Sequence, residues 1–402
     1  MRGLRLEGKK ESSLPAWTIR RPAPPSKVRL WLSQDPLHAL IPCVEIGARV
    51  RTGQTLARSK NSLSVDLHAS FSGRVTSLGH FVEITSDAQE ERMPEVGKER
   101  PGWQALNREN LFEILRSSGV ALPRPGTGGN VLPGSVLVLN GCESEPYVTS
   151  GHALMMSHSV EILKGAEILK KIFGAERVTL ALADDKMEAI ELMRSKIYSM
   201  RLSAHEVKVS PNLYPQDHEE MLRRSLSLGS GASIHAVWAA FAVYEAVVLQ
   251  KPFYERVVTV GGECVVEPRN VWLRVGTSLA EGFQTCRGLF REPRKILIGG
   301  PMRGTAQESL DVPILQSTEA ILALPKEVAR PLEVEPCIRC RLCVDACPVS
   351  LSPVMITLAA ERDLFETARE WGAERCIECG NCSYVCPSNR PMLELIRYAV
   401  SQ

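Results

Sequence analysis

The sequence predicts a multidomain α/β protein, and three observations support this prediction. The chain has 402 residues, more than the roughly 250–300 at which a single hydrophobic core stops growing. Strand-like and helix-like segments alternate through its middle, a pattern typical of a parallel sheet covered by helices. Eight of its 12 cysteines lie in two short runs near the C-terminus. We therefore expect an α/β domain, accompanied by smaller units on both sides.

The composition excludes several classes of function. A net charge of +2 and an aromatic content of 5% argue against nucleic acid as a partner. The N-terminus has no apolar segment of the kind found in signal peptides, so we expect a reducing compartment. No apolar run approaches the ~20 residues that a membrane-spanning helix needs. Any membrane association should therefore be peripheral and depend on a partner.

Changes in pattern along the chain divide it into five predicted segments. They are an N-terminal arm (1–27), a barrel-sandwich β module (28–86), an α/β domain (109–253), a β-grasp unit (254–325) and a helical domain that contains the cysteine runs (330–402). The arm is basic and rich in proline, and we expect it to pack on a later domain.

The β module resembles the lipoyl/biotinyl barrel-sandwich fold. Apolar and polar residues alternate around glycine turns over 44–57, and 69–75 opens another pair of strands. In carrier versions of this fold a modified lysine lies on a hairpin, but here Ser62 occupies that position. Lys60 is two residues away and lacks the flanking methionines. We therefore predict a structural or docking module rather than a swinging arm.

The α/β domain contains the first candidate site. The apolar run 136–140 predicts a buried parallel strand, and Glu143 and Glu145 follow it. Ligands of open α/β sheets bind outside the carboxyl ends of strands, where two carboxylates could accept hydrogen bonds from ribityl or ribose hydroxyls. The alternative is a solvated turn whose Pro146 starts a helix. The other predicted elements are helices over 111–116, 160–173, 186–200, 214–226 and 236–249, and strands over 178–183 and 206–209.

The β-grasp unit is predicted because the alternation of strands and helices ends after residue 253 and hairpin strands follow. Its predicted elements are hairpin strands over 256–263 and 270–277, a short helix over 279–285, and a strand over 295–298 that leads into a glycine turn over 299–304. Two neighbouring glycines are by themselves a weak signal for a phosphate loop. We interpret the side chains of His235 and Trp238 as packing elements. The four scattered cysteines are interpreted as small hydrophobic residues; they are Cys43, Cys142, Cys264 and Cys286.

The eight clustered cysteines carry the strongest signal. Each run has the spacing C-x2-C-x2-C-x3-C and is followed by proline, at Pro348 and Pro387. This is the bacterial pattern that ligates two 4Fe-4S clusters, in which the fourth cysteine of each run serves the other cluster. The predicted ligand sets are Cys337, Cys340, Cys343 and Cys386 for one cluster, and Cys376, Cys379, Cys382 and Cys347 for the second. Helices over 354–371 and 392–400 should shield the clusters.

Zinc and disulfides are the alternative interpretations of these cysteines. Structural zinc sites use pairs of cysteines, but they require neither a third cysteine two residues further on nor a following proline. Disulfides need an oxidising compartment, and nothing in the sequence indicates export. The spacing therefore favours two iron–sulfur clusters.

Several motifs together resemble the RnfC family, the peripheral iron–sulfur subunit of the ion-translocating Rnf/Rsx electron-transport complex. They are residues 140–147, 257–263, 299–304 followed by 310–313, and the two cysteine runs, with 376–389 especially close. The order of the domains is also similar to the family's, whose α/β domain resembles the flavoprotein subunit of respiratory complex I. The resemblance implies FMN binding, electron entry from NADH or ferredoxin, and transfer to membrane subunits at the cytoplasmic face.

The flavin motif of the family is altered in this chain. Residues 118–124 read Ser-Gly-Val-Ala-Leu-Pro-Arg, where the family has a glycine-rich loop with phenylalanine and threonine. Asp217 replaces a motif glycine, and Ala236 replaces an asparagine. The resemblance leaves Gly119, Glu143 and Glu145 as candidate FMN or NADH contacts, but the altered loop predicts weak or no FMN binding. Two alternatives therefore stay open, a soluble PduS-type corrinoid reductase and a relay subunit without a catalytic site.

Overall fold

The computed structural model describes residues 3–13, 18–32, 40–60, 64–87, 89–122, 135–229, 231–329 and 333–402. Two positions named above, Ser62 at the carrier position and Arg124 in the flavin loop, lie outside these residues. No helix among the described residues is both long and apolar enough to cross a membrane.

The N-terminal β module is built from two small sheets, as the barrel-sandwich prediction requires. Its strands are β1 (Lys27–Trp31), β2 (Leu40–Pro42), β3 (Arg49–Val50), β4 (Thr55–Ser59), β5 (Leu67–His68), β6 (Gly73–Leu78) and β7 (Phe81–Ser86). One sheet has the order β1-β7-β6-β3 and the other β2-β4-β5. Alternating residues point into a shared apolar core, because successive side chains of a strand face opposite sides. Gly73 is required there, since a Cβ would lie 2.2 Å from the Thr85 carbonyl oxygen.

The α/β domain has a four-stranded parallel sheet with the order β10-β9-β8-β11. Its elements are α1 (Arg108–Ser117), β8 (Val136–Asn140), α2 (Ser150–Ser157), α3 (Ser159–Phe173), β9 (Arg177–Ala183), α4 (Met187–Ser199), β10 (His205–Ser210), α5 (Glu219–Ser225), β11 (Ser233–Ala236) and α6 (Val237–Val247). The central strands β8 and β9 are almost entirely buried, as expected for a sheet covered on both faces.

Two predictions for this domain were wrong in detail. The helix predicted over 214–226 begins only at Glu219, because the side chain of His218 caps it by accepting a hydrogen bond from the Glu220 amide. The preceding residues form a turn instead. The sequence interpretation also missed α2, which starts three residues after Tyr147 and has no amphipathic pattern.

The next unit is a five-stranded mixed sheet crossed by one helix, the arrangement of a β-grasp fold. Its elements are β12 (Glu255–Gly261), β13 (Arg269–Arg274), α7 (Leu279–Gln284), β14 (Lys295–Ile298), β15 (Thr305–Gln307) and β16 (Ala320–Leu324), in the sheet order β13-β12-β16-β14-β15. The fully buried strand β16 was not predicted, although it pairs with both β12 and β14.

The C-terminal domain is helical and is an internal repeat. Its helices are α8 (Leu342–Asp345), α9 (Pro353–Ala360), α10 (Phe365–Glu370), α11 (Asn381–Tyr384) and α12 (Met392–Ser401). The helices α11 and α12 follow α8 and α9 at one constant difference in residue number, so the two pairs correspond. The single helix predicted over 354–371 was wrong, because Asp363 adopts φ +55° and separates α9 from α10. The apolar spacing continues across this break and therefore conceals it in the sequence.

The N-terminal arm packs across the later domains, as predicted. Leu4 forms a β-bridge with Tyr214, and Arg20 forms one with Val271. The Lys10 ammonium group donates a 2.6 Å hydrogen bond to the Glu143 carbonyl oxygen. The arm therefore holds the β-grasp and α/β units together at the carboxyl end of the parallel sheet.

Candidate functional site

The loop that follows β8 carries Glu143, which lies at the carboxyl end of the parallel sheet. Its carboxylate accepts hydrogen bonds from the backbone amides of Gly151 and His152 at the start of α2. It also forms an ion pair of 3.1 Å with Lys186. Helix N-termini are favourable sites for negative charge. Glu143 is thus already paired within the chain.

Glu145 is buried and is also engaged by the protein itself. It accepts hydrogen bonds from the backbone amides of Met302 and Arg303 in the turn after β14, at 3.1 and 3.0 Å. The guanidinium of Arg303 adds a third hydrogen bond of 3.0 Å. Burial raises the pKa of this carboxyl group, while Arg303 opposes the shift. A Cβ at Gly300 would lie 2.2 Å from the Glu145 carboxylate, so only glycine allows this close approach.

Asp217 extends the same group of charges. Arg303 donates a second hydrogen bond, of 2.5 Å, to the Asp217 carboxylate. Ser144 donates a hydrogen bond to the other carboxylate oxygen, and the side-chain amide of Asn140 donates one to the Asp217 backbone carbonyl. We call these three residues, together with Tyr214, whose hydroxyl lies 3.4 Å from Glu145, the ion cluster (Glu145, Asp217, Arg303 and Tyr214). Burial alone would lower the pKa of Arg303, but Asp217 and the other members outweigh it and raise it above its ordinary value.

Gly119 lies away from these carboxylates. It follows the C-terminus of α1 with φ +77°, the left-handed conformation that commonly ends a helix. A Cβ at this position would lie 2.9 Å from the carbonyl oxygen of Asp66 in the β module. Its own carbonyl accepts a hydrogen bond from Gln316. These contacts are sufficient to explain the glycine by backbone conformation and domain packing.

A small cavity remains between the sheet edge and the β-grasp unit, with about 70 Å³ of free space. Trp238 lines it and stacks on Phe253, with ring centroids 5.6 Å apart and planes at 10°. The guanidinium of Arg256 lies 5.1 Å from the centre of the Trp238 ring. The cavity is also lined by Glu143 and Asp217. Trp238 is therefore a packing element, as predicted, but it packs inside the candidate site.

The first cysteine run (Cys337, Cys340, Cys343 and Cys347) begins at the surface. Cys340 is exposed and Cys337 is half-buried, while Cys343 is buried. The exposed fractions of Ile338 and Leu342, which flank Cys340, are 67% and 46%. The Arg339 amide points at the Cys337 sulfur at 3.4 Å. Backbone donors directed at sulfur are typical of iron–sulfur loops, where they help to set the reduction potential.

The second run (Cys376, Cys379, Cys382 and Cys386) is more deeply placed. Cys379 and Cys382 are buried, and the Glu378 amide points at the Cys376 sulfur at 3.4 Å. Burial, with smaller contributions from the neighbouring thiols of Cys379 and Cys376, raises the pKa of Cys382 to about 12. Cys347 of the first run also contributes to raising the pKa of Cys376, Cys379 and Cys382. The fold therefore brings Cys347 next to the second run.

A direct contact joins the ion cluster to the second run. The hydroxyl of Tyr214 donates a 2.7 Å hydrogen bond to the Cys379 carbonyl oxygen and lies 3.4 Å from Glu145. The guanidinium of Arg303 lies 5.6 Å from the centre of the Tyr214 ring. The sequence interpretation missed Arg303 and Tyr214 as site residues. The only signal for Arg303 was its place in the glycine turn.

Comparison with known proteins identifies the family. The chain is 32% identical to a subunit of the proton-translocating ferredoxin:NAD(+) oxidoreductase complex of Clostridium ljungdahlii, over 94% of this chain and 88% of that protein. It is 32% identical to the corresponding subunit of the ion-translocating oxidoreductase complex of Rhodobacter capsulatus, over 93% and 78%. The chain belongs to the RnfC family. A third relative, from the Na(+)-translocating complex of Acetobacterium woodii, is 30% identical over 90% of this chain and 88% of its own length.

Four family models match successive parts of this RnfC protein. They are the RnfC barrel sandwich hybrid domain (1–93), the Nuo51 FMN-binding domain (124–234), the SLBB domain (257–306) and the 4Fe-4S dicluster domain (332–387). An NAD⁺-reducing [NiFe]-hydrogenase structure has a similar fold, with a TM-score of 0.53 and 15% identity over 74% of this chain and 64% of that chain. The predicted multidomain fold class is confirmed, and so is its iron–sulfur character.

The cysteines fit iron–sulfur clusters, and the described residues of the flavin-type pocket enclose little free space. Ligand pockets of small molecules usually measure ~300–1,000 Å³, but the cavity offers about 70 Å³. Both carboxylates that could bind hydroxyls are paired inside the chain, and Asp217 is paired with Arg303. The match to an FMN-binding domain shows the fold, and within the described residues of the pocket the three carboxylates already have partners in the chain.

One further prediction about cysteine was wrong. Cys142, Cys264 and Cys286 are fully buried, as expected for small hydrophobic residues. Cys43 is exposed, because it lies just beyond the short strand β2 at the edge of its sheet, where one face meets solvent.

Proposed function

We propose that this protein is the electron-relaying RnfC component of an Rnf-type ion-translocating oxidoreductase. It associates peripherally with the membrane subunits of that complex, at the cytoplasmic face. The observation that carries the proposal is the pair of cysteine runs, within a chain related over almost its full length to subunits of this kind. The five segments predicted from the sequence are proposed as its domains.

Two ligand sets are proposed for the two 4Fe-4S clusters. They are Cys337, Cys340, Cys343 and Cys386 for the cluster that we call cluster 1, and Cys376, Cys379, Cys382 and Cys347 for cluster 2. Such clusters supply one-electron transfer at potentials that burial and hydrogen bonds to sulfur adjust. The support for the crossed pairing is that the end of the first run packs on the second, where the Asn381 side-chain amide donates a hydrogen bond to the carbonyl of Ala346, next to Cys347.

We further propose that the chain relays electrons without an NADH dehydrogenase site of its own. A flavin and a nicotinamide need room and free hydrogen-bonding groups, and the described residues of the pocket offer little of either. Glu143 is held by α2 and Lys186, and Glu145 is held by Arg303. Electrons would then arrive from a redox partner, such as ferredoxin or a flavoprotein that oxidises NADH.

The test is spectroscopy and titration of anaerobically purified protein. We expect about eight irons per chain, two interacting signals by electron paramagnetic resonance, and no flavin absorbance. Titration with FMN should show weak or no binding, and NADH should reduce an artificial acceptor only slowly. Four irons, or zinc, would contradict the cluster assignment.

Tight FMN binding together with NADH turnover would contradict the proposed absence of a dehydrogenase site. Submicromolar FMN affinity, about −8 kcal/mol or better, would show that the pocket opens. NADH turnover that Glu145→Ala abolishes would then establish a dehydrogenase site. Lys60→Ala is a suitable control, because this exposed residue of the β module lies outside the pocket.

A further inference from the structure

Arg303 holds a distinctive position between the α/β domain and the second cysteine run. Its guanidinium bonds both Glu145 and Asp217, which come from different loops of the sheet edge. The neighbouring residue Met302 lies close to Gly380. A Cβ added at Gly380 would be 2.8 Å from the Met302 carbonyl oxygen. The turn that carries Arg303 is therefore packed directly against the loop between Cys379 and Cys382.

Arg303 is the cation of the ion cluster and lies between the carboxylates of Glu145 and Asp217. Asp217 occupies the place of a motif glycine, and without Arg303 it would be a second, unneutralised carboxylate next to Glu145. Arg303 neutralises one of the two negative charges, and its turn lies against the loop that follows Cys379. Because the side chain of Arg303 is only 28% exposed, solvent screens its charge less than at the surface.

We propose that Arg303 is a positioning residue that raises the reduction potential of cluster 2. This inference rests on the proposed function, since it requires cluster 2 to be present. Reduction adds one electron to a cluster whose thiolate ligands are already anionic. A nearby fixed cation stabilises the more negative, reduced state, so its removal should make the cluster harder to reduce.

Tyr214 gives this arrangement a defined geometry. It contacts Arg303 through its ring, Glu145 through its hydroxyl and Cys379 through a hydrogen bond to the carbonyl. The ion cluster therefore orients the backbone of a proposed ligand as well as contributing charge. No equivalent contact from the α/β domain to Cys340, the matching cysteine of the first run, is found among the described residues.

The experiment is an anaerobic redox titration of the full-length protein, followed by electron paramagnetic resonance. In Arg303→Met, we expect the midpoint potential of cluster 2 to become more negative. At a fixed applied potential, the ratio of reduced to oxidised cluster 2 should fall by at least roughly threefold. Cluster 1 should keep its midpoint. Arg303→Lys should restore most of the wild-type value, because it keeps the charge.

Two further variants keep the test decisive. Asp217→Gly removes the carboxylate and should shift cluster 2 to a more positive potential, even if Arg303→Met fails to fold. Arg287→Met is the matched control, since Arg287 belongs to the same β-grasp unit as Arg303 but is 69% exposed and pairs with Glu267. We expect it to move neither midpoint.

Several results would overturn the inference. Equal shifts of both clusters in Arg303→Met would show a general structural effect, and unchanged midpoints in Arg303→Met and Asp217→Gly would show no electrostatic role. A shift in Arg303→Lys as large as in Arg303→Met would exclude charge as the cause. Wild-type protein without two cluster signals would overturn the proposed function and this inference together, whereas the preceding results would overturn this inference alone.

Discussion

The two cysteine runs share one spacing and one local backbone but lie in different surroundings. Arg339 and Glu378 each lie two residues after the first cysteine of their run. Both adopt a left-handed backbone conformation, with φ of +58° and +51°. The first run nevertheless exposes Cys340 to solvent, while the second run buries its counterpart Cys379 against the α/β domain. Spacing therefore determines how a run folds, and the packing of the other domains determines what it faces.

This difference suggests separate roles for the two clusters. Cluster 1 would lie beside a surface where the apolar side chains of Ile338 and Leu342 flank an exposed thiol. Cluster 2 would lie next to a network of buried charge that reaches the sheet edge. We infer that cluster 1 exchanges electrons with an external partner, and that cluster 2 is the internal member of the relay.

The largest expected effect comes from removing the fourth ligands. Cys386→Ala should destroy cluster 1, although Cys386 belongs to the second run, and Cys347→Ala should destroy cluster 2. Each variant should lose about half of its roughly eight irons, because each cluster needs four ligands. Iron analysis and electron paramagnetic resonance measure this directly. If Cys386→Ala removed cluster 2 instead, each run would bind a cluster on its own, and the crossed pairing would be wrong.

The difference in exposure predicts a difference in sensitivity to air. Cluster 1 should decay first in oxygen, because Cys340 is exposed and Cys337 is half-buried, whereas most proposed ligands of cluster 2 are buried. Samples taken during controlled exposure and examined by Mössbauer spectroscopy would show one cluster lost before the other. Simultaneous decay, or earlier loss of cluster 2, would contradict the surface role of cluster 1.

A third prediction compares equivalent backbone positions in the two runs. Gly380 has φ +77° and lies against the Met302 carbonyl, whereas its counterpart Arg341 has φ +66° and is exposed. Gly380→Ala combines backbone strain with a clash and should destabilise the contact by about 1–3 kcal/mol. Arg341→Ala should change stability by less than ~0.5 kcal/mol, since its backbone already accommodates a side chain.

Hydrogen exchange of the intact protein measures the different effects of Gly380→Ala and Arg341→Ala. Protection should fall in residues 299–304 and 379–382 of Gly380→Ala and should stay unchanged in Arg341→Ala. Equal protection in both variants would show that the glycine turn does not support the second run.

The fold could be predicted well from the sequence where a local pattern determines the structure. The buried strand over 136–140 was predicted with its observed bounds, because a continuous apolar run between turns has few alternatives. The cysteine runs were recognised because their spacing is specific. Local patterns failed where a single backbone angle decides, as at Asp363, which breaks the helix predicted over 354–371.

The candidate site was less predictable, because its key contacts join residues far apart in the chain. Glu143 and Glu145 were correctly placed at the carboxyl end of a strand, but their partners could not be read from the sequence. Arg303 reaches Glu145 and Asp217 only after the β-grasp unit packs on the parallel sheet. Charge pairing between domains leaves no periodic signal, so these ion pairs became visible only in the structure.

The smallest expected effect concerns the hydrogen bond that only the second run receives from Tyr214. Tyr214→Phe keeps the ring but removes the donor to the Cys379 carbonyl, which leaves a buried acceptor without its partner. The loss should destabilise the local contact by about 0.5–1.5 kcal/mol, and hydrogen exchange should reveal it in the loop around Cys379. Tyr384→Phe is the matched control, because Tyr384 belongs to the same run and is 63% exposed. Since no hydrogen bond or ring contact between Tyr214 and the first run is found among the described residues, the spectrum of cluster 1 should be unaffected. A change in cluster 1, or an equal effect of both substitutions, would show that Tyr214 does not distinguish the two runs.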